Sequence, residues 1–187
     1  MKAERREELD DELRPEYDLE SLELRKVGPG RRSAMPAQPV PEGYHTATPY
    51  LIVHDATAAL AFYESAFGAT ELLRLPAPDD KIMHAEIMIG DSVVMLADEN
   101  VERGFTSPRT LGGTASSILL YVEDVDRQFQ QAKDVGAQTL RDVEDQVYGD
   151  RSGTLLDPFG HLWTLATHVE DVPPEEIERR FEAMLKP

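Results

Sequence analysis

From residue 47 the chain alternates short apolar runs with stretches whose apolar positions recur every three or four residues. Tyr50-Leu-Ile-Val53 predicts a first strand over 47–54. Leu60, Tyr63, Ala66 and Phe67 follow at helical spacing and predict a helix over 56–67. Asp55 is placed to cap its start, and Gly68 suits its end. Three strands should follow, over 71–75, 81–89 and 92–97, with Gly90-Asp91 as a two-residue hairpin turn. Residues 98–113 are a long polar loop, of a length that predicts a lid or a disordered connection. The pattern then begins again. It gives a strand over 115–122 and a helix over 125–135 with Val125, Phe129, Ala132 and Val135 inward. Strands near 138–143, 151–156 and 161–167 complete it, the last two joined by a turn at 157–160. Pro173-Pro174 opens a final helix carrying Ile177, Phe181, Met184 and Leu185 on one stripe. That stripe should pack on the body or on a second subunit.

The recurrence extends to individual residues. Val53 aligns with Val122, Asp55 with Asp124, and Gly68 with Gly136. A repeat of this length predicts a duplicated supersecondary unit, with a cavity enclosed between the two copies.

Outside the repeat the composition changes. Residues 1–26 are rich in charges of both signs, with a short helix expected around 4–13 that Pro15 interrupts. Residues 27–43 hold Gly28, Pro29, Gly30, Pro36, Pro39, Pro41 and Gly43, a linker composition. The division expected is a tail and linker over 1–43, a main domain over 44–170 and a C-terminal helix over 171–187. Within the domain, module one is 44–97, the linking loop 98–113 and module two 114–170.

The net charge of −17 falls almost wholly on the domain, because residues 1–32 carry 8 Lys/Arg against 10 Asp/Glu. An acidic surface repels phosphate backbones, so no nucleic-acid partner is expected. An anionic ligand would need a local cationic anchor. No apolar run approaches the roughly 20 residues that span a bilayer, so no membrane partner is expected either. The absence of cysteine removes disulfides, thiolate metal sites and cysteine nucleophiles, and fits a cytoplasmic protein.

Four stretches carry a resemblance: Thr48-Pro-Tyr-Leu-Ile-Val-His-Asp, Ala61-Phe-Tyr-Glu-Ser-Ala-Phe-Gly-Ala69, His84-Ala-Glu-Ile-Met-Ile-Gly and Asp157-Pro-Phe-Gly-His-Leu-Trp163. Together they resemble the glyoxalase, bleomycin-resistance and extradiol-dioxygenase superfamily, also called vicinal oxygen chelate, and within it the PhnB-like branch. The resemblance implies an α+β fold: two βαβββ modules forming a half-open barrel, helices outside and a ligand cavity inside. Members with metal place four ligands, usually His and Glu, on the first and fourth strand of each module. Those positions here are Thr48, Met95, Ser117 and Thr164. None offers imidazole or carboxylate, so no metal and no other cofactor is expected there.

Strand alternation assigns faces to the remaining candidates. With Thr48, Met95, Ser117 and Thr164 facing the cavity, Tyr50, Ile52, Leu119 and Tyr121 share their face, while Leu51, Val53, Ile118, Leu120 and Trp163 turn to the helices. Counting through the Gly90-Asp91 hairpin pairs Glu86 with Met95, which brings His84 and Glu86 onto the cavity face. The same count through 157–160 brings Arg151, Gly153 and Leu155 there. His84 and Glu86 then form a base with its orienting carboxylate, or two ligands of a displaced metal site; a polar pair at a wet barrel mouth is the bland alternative. Arg151 is the candidate anion anchor, against a plain salt bridge. Tyr50, Tyr121 and Tyr148 offer stacking surface, though barrel packing explains them equally well.

Two functions follow. One is a non-catalytic binder of a small organic molecule, neutral or anionic, held by Thr48, Tyr50, Met95, Ser117, Tyr121, Arg151 and Thr164. The other is a lyase or dioxygenase using a divalent metal at His84 and Glu86. A homodimer is expected in either case, because exposed strand edges and the last helix need covering.

Overall fold

A computed structural model of the chain describes residues 38–77 and 79–186. The helix expected around 4–13 and most of the 1–43 tail lie outside these. Gln38–Pro187 form one compact unit.

The duplicated unit folds twice in the same order. Module one runs β1 (Tyr50–Val53), α1 (Ala56–Phe67), β2 (Thr70–Pro76), β3 (Ile82–Ile89) and β4 (Ser92–Asp98). After α2 (Pro108–Leu111), module two runs β5 (Ser117–Tyr121), α3 (Val125–Asp134), β6 (Gln138–Asp145), β7 (Asp150–Leu156) and β8 (Leu162–His168), and α4 (Pro174–Met184) closes the chain. The sheets are β1-β4-β3-β2 and β5-β8-β7-β6, with β1–β4 and β5–β8 parallel and the other pairs antiparallel. The fold is thus α+β, two βαβββ modules that each curl as an open half-barrel.

The aligned residues do the same work in each copy. Asp55 and Asp124 cap α1 and α3, accepting from the Ala58 and Arg127 amides at 2.9 and 3.0 Å. Gly68 ends α1 in the left-handed region at φ 68°, where a side chain would strain the backbone. α1 lies on the first sheet, α3 on the second, and the two helices pack against each other. One hydrophobic core therefore joins the modules, with Leu51, Val53, Tyr63 and Phe67 from the first and Phe129, Leu155, Trp163 and Leu165 from the second.

The register of module one is as expected, with Glu86 opposite Met95 and Met88 opposite Val93. Module two differs by one position. β7 and β8 pair Leu156 with Leu162 and Thr154 with Thr164, so the connection holds five residues instead of four. Asp157 is the cause: its carboxylate accepts from the Phe159 and His161 amides, and its own amide donates to the His161 carbonyl. A one-residue slip exchanges faces. Arg151, Gly153 and Leu155 consequently turn to the helices, and Thr154, Ser152 and Asp150 take the opposite face.

The loop over 98–113 is built rather than irregular. Asn100 bridges Phe105, Val101–Arg103 form a helical turn, and Ser107 is buried at the start of α2. The stripe of α4 stays largely open, with Phe181, Met184 and Leu185 exposed.

Candidate functional site

Each sheet has one face against the helices and one face without them. Alternation in β1 buries Leu51 and Val53 and leaves Tyr50 and Ile52 on the helix-free face. Pairing Glu86 with Met95 adds His84, Glu86 and Met95 to that face. Three of these side chains, Tyr50, His84 and Glu86, make a continuous hydrogen-bonded line with Tyr44. The Tyr50 hydroxyl meets His84 Nδ1 at 3.0 Å, His84 Nε2 meets Glu86 Oε1 at 3.0 Å, and the Tyr44 hydroxyl donates to Glu86 Oε2.

The charges fix its resting state. The bond from Tyr44, followed by that from His84, holds the Glu86 carboxyl below its ordinary value, so it is ionised at neutral pH. With Glu86 accepting from His84 Nε2–H, Nδ1 of the ring is left to accept from the Tyr50 hydroxyl. The Tyr50 phenol is pushed up, by burial first and the Glu86 charge second, and stays protonated. The line is a carboxylate–imidazole–phenol array. It can pass a proton along its length, and it presents Tyr50 oxygen as an acceptor.

Its two ends open into two cavities. Tyr50 lines a cavity of about 290 Å³ beneath the 98–105 segment, shared with Ile52, Lys81, Met83, Arg103 and Phe105 among others. Tyr44 and Glu86 line a shallower one of about 380 Å³ with Thr48, Met95 and residues 39–41. Thr48, Tyr50, His84, Glu86 and Met95 are thus brought together.

Ser117, Tyr121 and Thr164 are not part of this group. They lie on the helix-free face of module two, and neither cavity includes them. Their hydroxyls are engaged locally. Thr164 meets Ser117 at 3.4 Å and Thr154 at 3.1 Å, and Tyr121 donates to the buried Asp150 at 2.9 Å. Asp150 also meets His168 Nδ1 at 2.7 Å.

Arg151 lines neither cavity. It faces α3, forks onto Asp126 at 2.7 and 2.8 Å and reaches Asp145 at 2.9 Å. The register slip described above puts it there. Gly153 fills the same face, where an added Cβ would stand 2.7 Å from the Phe129 ring.

The donor set at Thr48, Met95, Ser117 and Thr164 does not fit a divalent metal. Thr48 already donates to the His45 carbonyl at 3.0 Å, and the other hydroxyls are bonded to one another. Among the described residues no group of three or more His, Asp or Glu side chains could hold an ion.

Tyr44, Lys81, Arg103 and Phe105 escaped the sequence reading. Tyr44 and the 101–105 turn lie outside the repeat, and Lys81, the first residue of the strand expected over 81–89, stands one position before β3.

The family model described as Glyoxalase/Bleomycin resistance protein/Dioxygenase superfamily matches residues 44–165. An uncharacterised protein of Mycobacterium tuberculosis (strain ATCC 25618 / H37Rv) is 44% identical over 134 residues, covering 70% of this chain and 79% of its own. Among solved structures, TioX from Micromonospora sp. ML1 is 28% identical with a TM-score of 0.53, over 66% of this chain and 99% of its own. The fosfomycin resistance protein FosX from Listeria monocytogenes, solved with Mn(II) and sulfate, is 21% identical with a TM-score of 0.52, over 73% of this chain and 97% of its own. At that identity the likeness to FosX shows the fold alone.

Proposed function

Since this chain belongs to the glyoxalase/bleomycin resistance/dioxygenase superfamily, we propose that it binds a small organic molecule on the helix-free face of module one. The Tyr44–Glu86–His84–Tyr50 line is the observation that carries this reading. An ionisable array on an open sheet face, with a cavity at each end, suits a ligand better than it suits packing. His84 is the group that can move a proton, and whether the bound molecule reacts depends on its placing an acidic atom beside Tyr50 or Glu86.

The binder has no resident metal in this reading, because both His84 nitrogens and both Glu86 oxygens already have partners. It belongs to the PhnB-like branch, on the four stretches that resemble it, and works in the cytoplasm. It acts as a homodimer. Leu119, Tyr121, Tyr50, Leu73 and Leu75 are exposed on open sheets, and a second copy covers such apolar surface.

Native mass spectrometry of the gently purified chain, with elemental analysis of the same sample, tests the reading. The expected result is a small organic mass that Tyr50→Ala loses, and far less than one metal per chain. About one metal per chain, lost together in His84→Ala and Glu86→Ala, would instead support the lyase or dioxygenase. His84→Ala separates binding from reaction: unchanged affinity and turnover for the identified molecule would remove the proton-transfer role.

A further inference from the structure

The cavity beneath residues 98–105 has a chemistry of its own. Its walls are Tyr50, Ile52, Met83 and Phe105 on the apolar side and Lys81 and Arg103 on the charged side. Two carboxylates, Asp98 and Glu99, also line it, but their oxygens are spent. Asp98 accepts from the Ala56 and Ile82 amides at 3.0 and 2.7 Å. Glu99 accepts from the Ser107 amide and the Thr110 hydroxyl, both at 3.0 Å. These bonds fold the segment over the sheet and turn both carboxylates, still charged, toward amide and hydroxyl donors instead of toward the cations. Lys81 and Arg103 make no ion pair with any described residue. Lys81 and Arg103 thus put two cations without ion pairs on one cavity of a chain whose net charge is −17.

We propose that this cavity takes a small aryl carboxylate: a ring between Tyr50 and Phe105, with the carboxylate turned to Lys81 and Arg103. The volume of about 290 Å³ sits at the lower end for ligand sites and suits a single ring with a short side chain. Exposed aromatic faces favour a ring over a branched aliphatic body. The planar fork of Arg103 matches a carboxylate, and Lys81 adds a second positive charge. The ligand body also touches the phenol that ends the His84–Glu86 line, so the anchor and the proton-moving group serve one molecule. The inference rests on the module-one binding reading and names the class of molecule that reading leaves open.

The test is calorimetric titration of the full chain with 3-phenylpropionate and with its uncharged match, 3-phenylpropionamide. The wild-type chain should hold the carboxylate about five- to tenfold tighter, the contribution of partly exposed ion pairs. Lys81→Met combined with Arg103→Met should bring the two probes to equal affinity. Tyr50→Ala should weaken both. Equal binding of the two probes to the wild-type chain, lost in Tyr50→Ala, sinks the anion anchor and leaves the binding reading standing. A preference that survives in the double variant also sinks it. Binding of neither probe to the wild-type chain overturns both the aryl-carboxylate class and this cavity as the ligand site.

Discussion

Asp157 shows how much one residue can fix. It is buried, and four donors converge on its carboxylate: the Phe159 and His161 amides, the Tyr63 hydroxyl at 2.8 Å and the Trp163 indole at 2.9 Å. Burial, with the Asp157 charge beside it, pushes the Tyr63 phenol well above its ordinary value, so that hydroxyl remains a donor. Replacing Asp157 by Ala strands these donors, and urea unfolding should show a loss of about 3 kcal/mol. Gly153→Ala tests the opposite failure. Its Cβ would meet Phe129 and Val143 at 2.7 and 2.9 Å, an overpacking that should cost about 1–3 kcal/mol in the same assay. At Glu86 the sign runs with acid. A carboxyl held low adds stability that is full above its unfolded value and is lost as pH falls through the folded one. An NMR titration should find its midpoint below about 4.3, the ordinary glutamate value. Tyr44→Phe should move it upward, since Tyr44 is the largest cause of the shift.

At the scale of elements, helices and strands were legible because each kept its own period. Helix α1 runs over Ala56–Phe67, the predicted span, because cap, stripe and terminal glycine agreed. Module one's faces followed from a two-residue hairpin, which leaves no freedom of count. Module two's faces did not, because an aspartate side chain lengthened the 157–160 turn by one residue. Arg151 therefore passed from candidate anchor to partner of α3. Thr48 and Met95 came from the resemblance, and Tyr50, His84 and Glu86 from alternation and the hairpin count, whereas the cavity that Arg103 shares with Lys81 depends on how a long loop folds back, which no period encodes. The end of β8 offers a prediction of its own. His168 is flanked by Asp150 and Asp171 at 2.7 and 3.0 Å, which raise its ordinary pKa of about 6.5. The stability this adds is full below the unfolded value and is lost as pH rises through the raised folded one. The difference in Tm between wild type and His168→Asn should therefore be largest in mildly acidic buffer and shrink toward alkaline pH.

For the whole molecule, the open faces decide its company. Leu119 and Tyr121 on module two and Tyr50, Leu73 and Leu75 on module one are apolar and exposed. Sedimentation equilibrium should give twice the chain mass of 20.9 kDa. Leu119→Arg should return the single-chain mass with an unchanged unfolding midpoint measured at low concentration, whereas an unaltered mass would place the interface elsewhere. The bonds of Asp157 have one more consequence. Tyr63 belongs to the first copy and Trp163 to the second, and their rings stand 5.4 Å apart over that carboxylate. Gln128 and Gln131 reach across to the Ala66 and Ser65 carbonyls in the same seam. The repeated unit has thereby lost its independence. Cut between residues 98 and 113, neither half would keep a closed interior, so the unit that repeats in the sequence is smaller than the unit that melts.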